Sequence, residues 1–173
     1  TAGTAVTGTV TITVVPAPVI TSFTTSETII TTGDSIDLTA VFSSGTAVID
    51  NAVGAVTSGV AVNLSPASTT TYQLTVTNTE GATVSDSVTV TVVPAPDIIS
   101  ISADDPDLIV APGVSVQITP TFINADGSAD MDQGIGAVTS GAAVVVNPAS
   151  TTTYTLPITN SAGASDTASL TIT

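Results

Sequence analysis

Apolar and polar residues alternate with a period of two along most of the chain. In the first half the apolar positions form four runs rich in Val, Ile and Thr, the residues typical of strands. These positions are Ile36, Leu38, Ala40 and Phe42, then Val60, Val62 and Leu64, then Tyr72, Leu74 and Val76, then Val84, Val88, Val90 and Val92. No stretch has the spacing of an amphipathic helix. The pattern predicts an all-β chain whose strands each bury one face.

The second half repeats this pattern. Its alternating apolar positions are Val114 or Val116 with Ile118 and Phe122, then Tyr154, Leu156 and Ile158, then Leu170 and Ile172. Glycine-centred turns separate the runs, at Gly33, Gly81, Gly113 and Gly163. Turns of this kind between alternating strands predict antiparallel pairing.

An internal repeat defines the organisation. The sequence of residues 1–18 returns 78 residues later at 79–96, and GAVTSG and PASTTTY each return after 82 residues. The second copy is longer near Pro106 and Asp107 and within residues 124–132. We therefore predict repeat one at 19–93 and repeat two at 97–173, each of a size that suits a seven-stranded sandwich. Residues 1–15 are a lone copy of the last strand of the repeat, a G-like strand.

The run TTTYQLTVTN at 69–78, followed by a glycine turn and an alternating strand, resembles bacterial immunoglobulin-like domains. VGAV at 53–56 and its counterpart IGAV at 135–138 belong to the same resemblance. Such domains occur in tandem on adhesins, invasin-like proteins, fimbrial components and multidomain secreted enzymes. The resemblance implies two tandem antiparallel β-sandwich domains, preceded by the extra G-like strand and arranged end to end as a rod.

Two features depart from that family. Phe42 and Phe122 stand where many relatives carry a core Trp. Pro120 and Pro157 lie inside predicted strands, where each removes a ladder donor. We therefore expect bulges or local fraying in repeat two.

Composition then narrows the function. The 173 residues contain no Lys, Arg, His or Cys, and 14 acids give a net charge of −14. Nucleic-acid binding is excluded because Lys and Arg are needed to neutralise phosphates. Membrane insertion is not expected, since a spanning helix needs about 20 consecutive apolar residues. The absence of His, Lys and Cys removes the usual general bases and nucleophiles, so we expect no enzyme and assign no catalytic or cofactor-binding residue.

The chain's chemistry leaves only hard cations as candidate metals. Oxygen ligands suitable for Ca²⁺ cluster in residues 124–132, and Asp97 could approach the same pole. The carboxylates concerned are Asp97, Asp126, Asp130 and Asp132. The spacing does not fit an EF-hand, so a solvated turn is favoured over Ca²⁺ and no metal ligand is assigned. Asp104, Asp105 and Asp107 form a second acidic patch, where Pro106 favours a turn.

Other candidate residues have structural interpretations. Tyr72 and Tyr154 occupy the place of a tyrosine corner, which favours a structural role over ligand contact. Threonine stripes along the last strands suit a sheet surface, with O-glycosylation, lateral fibre contacts or ice binding as alternatives. They comprise Thr9, Thr11 and Thr13, then Thr89 and Thr91, then Thr171 and Thr173. Asn63 begins the N-glycosylation triplet, a weak signal.

The linkers bear most directly on function. Val-Pro-Ala-Pro at 15–18 and again at 93–96 is short and stiff, which favours a rod. Residues 1–15 either end a preceding domain or complete the sheet of a neighbouring subunit, so self-association is expected. We predict a structural component of an extracellular fibre or adhesin stalk. The alternative is an accessory module that binds carbohydrate or another surface ligand.

Overall fold

The computed structural model describes residues 3–4, 7–105, 109 and 111–173, and all their regular secondary structure is β. Residues 19–93 form two sheets, one with the order β1-β3-β6 and one with the order β2-β8-β7-β4-β5. The strands are β1 (Val19–Thr25), β2 (Ile29–Thr31), β3 (Ile36–Ser43), β4 (Thr46–Ile49), β5 (Gly54–Val56), β6 (Ala61–Leu64), β7 (Thr70–Thr77) and β8 (Thr83–Val93).

Residues 97–173 form two further sheets, with the orders β13-β10-β9 and β12-β11-β14-β15. The strands are β9 (Asp97–Ala103), β10 (Val116–Ile123), β11 (Ser128–Met131), β12 (Gly136–Ala137), β13 (Val144–Val146), β14 (Thr152–Thr159) and β15 (Ser165–Ile172). The predicted fold class, tandem immunoglobulin-like β-sandwiches, is confirmed.

The chain also divides into two compact units by spatial clustering. The first comprises residues 1–25, 37–62 and 71–88, and the second comprises 26–36, 63–70 and 89–173. Their limits differ from those of the sequence repeats, because three segments of repeat one belong to the second unit. The boundaries at 19–93 and 97–173 stay a prediction.

The predicted alternation places the core correctly. Leu74 and Val76 on β7 are fully buried, as are Leu156 and Ile158 on β14. Burying an aliphatic side chain of this size contributes about 1.5–3 kcal/mol, so the alternating rows are the main source of stability. The pattern was wrong at Val60, and of the alternatives Val114 and Val116 the buried residue is Val116. Val60 is 55% exposed and Val114 is 47% exposed. Both precede their strands, which begin at Ala61 and Val116.

The bulge expected from Pro120 is present but has another cause. The β9–β10 ladder shifts register between Thr121 and Phe122. The β1–β3 ladder shifts at the corresponding place, between Ile20 and Ser22, where β3 has no proline. The bulge therefore belongs to the repeat and not to Pro120, which is itself buried.

Pro157 does shorten a ladder. Strand β14 pairs with β15 along all its eight residues, including Pro157 with Thr167. On its other edge it pairs with β11 at only two positions, whereas β7 pairs with β4 at four. Pro157 has no N–H to donate to β11, which explains the shorter ladder.

The described part of the N-terminal segment has no sheet partner. None of the described residues 3–4 and 7–18 lies in a strand. Val10, Ile12 and Val14 are 86%, 83% and 85% exposed, although their spacing is that of β8. A strand requires a partner for its backbone groups, so the extra strand at 1–15 stays a prediction.

Candidate functional site

A side-chain amide organises the turn after each F-like strand. In repeat one, Asn78 Oδ1 accepts the N–H groups of Glu80 at 3.1 Å and Ala82 at 2.9 Å. The backbone N–H of Asn78 donates to Ala82 O at 3.0 Å. Gly81 completes the turn with a φ of 86°, which favours glycine. This asparagine therefore closes the β7–β8 hairpin.

Asn160 makes the same turn in repeat two. Its Oδ1 accepts the N–H groups of Ala162 at 3.1 Å and Ala164 at 3.0 Å, and Gly163 has the same φ of 86°. The recurrence shows that the turn is a property of the repeat. Its sequence signal is an asparagine that ends the TTTY run and precedes a glycine by three residues, a signal to which the sequence analysis assigned no role.

The nitrogen side of the Asn160 amide binds the linker. Nδ2 donates to Pro94 O at 2.9 Å and to Thr31 Oγ1 at 3.1 Å. All three residues belong to the second compact unit. Two accepted and two donated bonds satisfy the whole hydrogen-bonding capacity of the amide, so its exposure of only 2% carries no desolvation penalty.

The turn that carries Thr31 is itself locked. Asp34 Oδ2 accepts the Thr31 N–H at 3.0 Å, and Asp34 N donates to Thr31 O at 3.0 Å. Strand β2 pairs in parallel with the end of β8, with Thr31 opposite Val93. The next residue continues the contact, because Thr32 N donates to Val93 O at 2.9 Å. The Thr31 hydroxyl is thus held in place by backbone hydrogen bonds on both sides.

Asn78 binds the first linker in the same way. Its Nδ2 donates to Pro16 O at 3.0 Å, within the first compact unit. A groove of about 350 Å³ lies beside it. The lining residues are Val15, Pro16, Ser44, Gly45, Thr46, Thr77, Asn78 and Thr79. Unlike Asn160, Asn78 is only half-buried.

Two glycines allow close backbone approach beside these asparagines. A Cβ on Gly45 would lie 2.6 Å from Thr77 O, and a Cβ on Gly127 would lie 2.6 Å from Asn160 O. The requirement at both positions is steric, since no side chain fits against those carbonyls.

In the acidic loop of repeat two, residues 124–132, two carboxylates accept hydrogen bonds from neighbouring segments. Asp126 accepts Ser161 Oγ at 2.7 Å and Ser161 N at 3.0 Å, and these hydrogen bonds lower the pKa of Asp126. Asp132 Oδ1 accepts Thr155 N at 2.8 Å. Asp97 and Asp130 lie exposed on β9 and β11. Among the described residues, the structure gathers no group of three acidic side chains that could hold a metal ion.

The second acidic patch is described only in part. Asp104 Oδ1 accepts Gln117 N at 2.8 Å and so ties the end of β9 to β10. Pro106 and Asp107 lie outside the described residues. Asp104 therefore has a structural partner, while the turn expected from Pro106 stays a prediction.

Both tyrosine rings are buried in the sandwich cores, each 4% exposed. Burial raises the pKa of Tyr72, and the Asp50 carboxylate adds to the shift. Burial and then Asp132 raise the pKa of Tyr154 in the same way. The two rings are therefore core residues, while the predicted hydroxyl-to-backbone bond stays a prediction.

The repeated GAVTSG motif has a structural explanation. Ser58 Oγ accepts Phe42 N at 2.9 Å and donates to Phe42 O at 2.8 Å. Ser140 binds Phe122 with the same pair of bonds, at 2.9 and 2.7 Å. The serine hydroxyl thus binds both backbone groups of the phenylalanine in each repeat.

The remaining candidates lie on the surface. Thr171 on β15 shares a 2.8 Å hydroxyl hydrogen bond with Thr153, which is a cross-strand pair. Thr9, Thr11 and Thr13 are exposed outside any sheet. The side chain of Asn63 donates to Ile36 O at 3.3 Å, so this asparagine supports a neighbouring strand.

No protein-family model and no curated protein matches the chain. Solved tandem immunoglobulin structures do. Drosophila OTK extracellular domains 3–5 match 88% of this chain and 61% of theirs, at 12% identity and a TM-score of 0.60. Sidekick-1 immunoglobulin domains 1–4 match 90% of this chain and 48% of theirs, at 10% identity and a TM-score of 0.62. A C-terminal fragment of intimin was solved in complex with the translocated intimin receptor. It matches 88% of this chain and 63% of its own, at 13% identity and a TM-score of 0.57.

These matches concern the fold. The chain spans roughly half to two thirds of the length of the three structures. At 10–13% identity the likeness is one of architecture. In addition, no helix in the described part of the chain is long and apolar enough to cross a membrane.

Proposed function

We propose that the chain is a structural segment of an extracellular fibre or adhesin stalk, built from tandem immunoglobulin-like repeats. The observation that carries the proposal is a hydrogen bond from an asparagine side chain to the linker, which occurs in both repeats. Asn78 binds the carbonyl of Pro16 at 3.0 Å, and Asn160 binds that of Pro94 at 2.9 Å. A linker of two prolines has few free dihedrals, and a hydrogen bond to its carbonyl removes more of them.

The surface chemistry supports the same role. Both tyrosines are buried, so neither offers the flat aromatic platform that a carbohydrate-binding module would use. Neither of the two described grooves is lined by a carboxylate. The solved structures with this architecture include extracellular domains of Drosophila OTK and an intimin fragment in complex with the translocated intimin receptor, which supports placement outside the cell.

Two experiments test the proposal. In single-molecule force spectroscopy, each repeat should unfold as one cooperative step that releases about 25 nm of chain, the contour length of about 75 residues. A single gradual extension without steps would contradict a load-bearing role. Gold-labelled antibodies against the chain should decorate the outside of intact cells that produce it. Labelling confined to the cell interior would overturn the extracellular assignment.

A further inference from the structure

The Asn78 amide makes one hydrogen bond fewer than its counterpart at Asn160. At Asn160 the amide donates to Thr31 Oγ1 as well as to Pro94 O. At Asn78 the amide donates to Pro16 O, and no described residue supplies the counterpart of Thr31. The groove of about 350 Å³ lies beside this amide and is lined by Val15, Pro16 and Asn78, among others. A donor beside an apolar groove gains from an acceptor that closes over it.

The segment before the groove exposes an alternating row of apolar side chains. Val10, Ile12 and Val14 correspond in the repeat to Val88, Val90 and Val92 of β8. Val90 is fully buried, whereas Ile12 is 83% exposed. An unpaired alternating row of this kind is a template for a strand partner.

We propose that residues 7–18 and the groove beside Asn78 together bind another immunoglobulin-like repeat, one that carries a Thr-Thr-Gly-Asp turn like that of residues 31–34. This inference rests on the proposed tandem array and names the partner that residues 7–18 bind. The bound repeat takes residues 7–15 as its last strand. The hydroxyl oxygen of its first turn threonine then accepts a hydrogen bond from Asn78 Nδ2.

The second junction supplies the geometry. Strand β2 pairs in parallel with the end of β8, placing Ile29 opposite Thr91 and Thr31 opposite Val93. The counterparts of Thr91 and Val93 in the N-terminal segment are Thr13 and Val15. A β2-like strand beside Thr13 therefore brings its last threonine to Val15, which lines the groove.

Repeat two of a second copy fits this position poorly. It has Ala111 and Pro112 where repeat one has Thr31 and Thr32. Alanine has no hydroxyl for Asn78, and proline has no N–H to replace the bond from Thr32 N to Val93 O. In addition, β15 already pairs with β14 along the whole strand. The sequence of the turn thus selects a repeat of the first kind.

The test supplies strands with which residues 7–15 can pair. Residues 19–78 are placed before Thr1 of the full chain, so that residues 1–15 follow them as a last strand. Amide exchange by NMR should slow at least about 100-fold in residues 7–15, and the Asn78 side-chain amide should become protected. A matched extension carries Thr31→Ala and Thr32→Pro in the added segment only. It should leave unprotected the side-chain amide of the original Asn78, the copy that follows residues 1–18. Equal protection by both extensions would overturn the proposal.

A second chain guards against misfolding of the extension. In it, residues 1–18 are replaced by residues 19–96, so that a repeat with its own last strand precedes Asn78. The Asn78 amide should again be protected, and fast exchange there would overturn the proposal. So would polymers of the unextended chain that disappear when residues 1–15 are deleted. These outcomes leave the force steps and the surface labelling unaffected, so they are distinguishable from failure of the proposed function.

Discussion

The side-chain amide of Asn160 donates to the carbonyl oxygen of Pro94 at 2.9 Å. The two residues are 66 positions apart, yet one bond joins the hairpin turn of repeat two to the linker before it. Asn78 and Pro16 repeat the relationship at 3.0 Å. A turn residue thus also binds the chain that enters the domain, at the same position of both repeats.

Replacing these asparagines should have unequal effects. Asn160→Ala removes four hydrogen bonds from a buried site and should lower the free energy of unfolding by about 3 kcal/mol. Asn78→Ala should cost about 1 kcal/mol, because Asn78 is half-buried and water replaces part of its bonding. Urea denaturation of the two variants measures the difference. Equal losses would contradict the importance of the Thr31 contact.

The glycines beside the asparagines should tolerate no side chain. Gly45→Ala or Gly127→Ala places a Cβ 2.6 Å from a backbone carbonyl oxygen and should destabilise the chain by about 2 kcal/mol. Gly8→Ala is the matched control, because nothing lies within 4 Å of its Cβ position. Thermal unfolding compares the three. A neutral result at Gly45 and Gly127 would show that the hairpin relaxes without cost.

The buried tyrosines should make stability fall at high pH. Burial raises the pKa of Tyr72, and Asp50 raises it further, so the folded chain keeps a proton that the unfolded chain loses near pH 10. Stability from this group is complete below that pH and declines as pH rises through the folded pKa. Ultraviolet titration of tyrosinate should reveal the shift.

A paired substitution tests the cause of the shift. Asp50→Asn should lower the pKa of Tyr72 and leave that of Tyr154 unchanged. Asp132→Asn should lower the pKa of Tyr154 and leave that of Tyr72 unchanged. Asparagine retains an acceptor oxygen for Gln73 N, so the loop should keep its hydrogen bond. If neither substitution moved its tyrosine, burial alone would account for the raised values.

Calcium should have little effect on stability. The carboxylates of Asp126 and Asp132 already accept hydrogen bonds from Ser161 and Thr155. Millimolar CaCl₂ should therefore shift the midpoint of thermal unfolding by less than about 1 °C relative to NaCl of equal ionic strength. A rise of several degrees that Asp130→Asn abolishes would instead establish a calcium site.

Much of the fold was predictable from local pattern. The period of two identified the core rows, since a strand with one buried face alternates by geometry. Val60 was misassigned, and Val114 stayed an alternative to Val116, because alternation does not mark where pairing begins. The bulge near Phe122 was attributed to Pro120, but the same bulge in repeat one showed that it belongs to the fold. Local sequence could not separate these causes.

The sequence by itself determined the all-β class, the repeat, and the exclusion of chemistry that needs Lys, Arg, His or Cys, because alternation and composition are local properties. The linker contacts of Asn78 and Asn160 depended on tertiary structure. The partners of their Nδ2 groups are backbone carbonyls and a hydroxyl 62 to 129 residues away. A backbone carbonyl is the same in every residue, so only the folded chain reveals which one an amide meets.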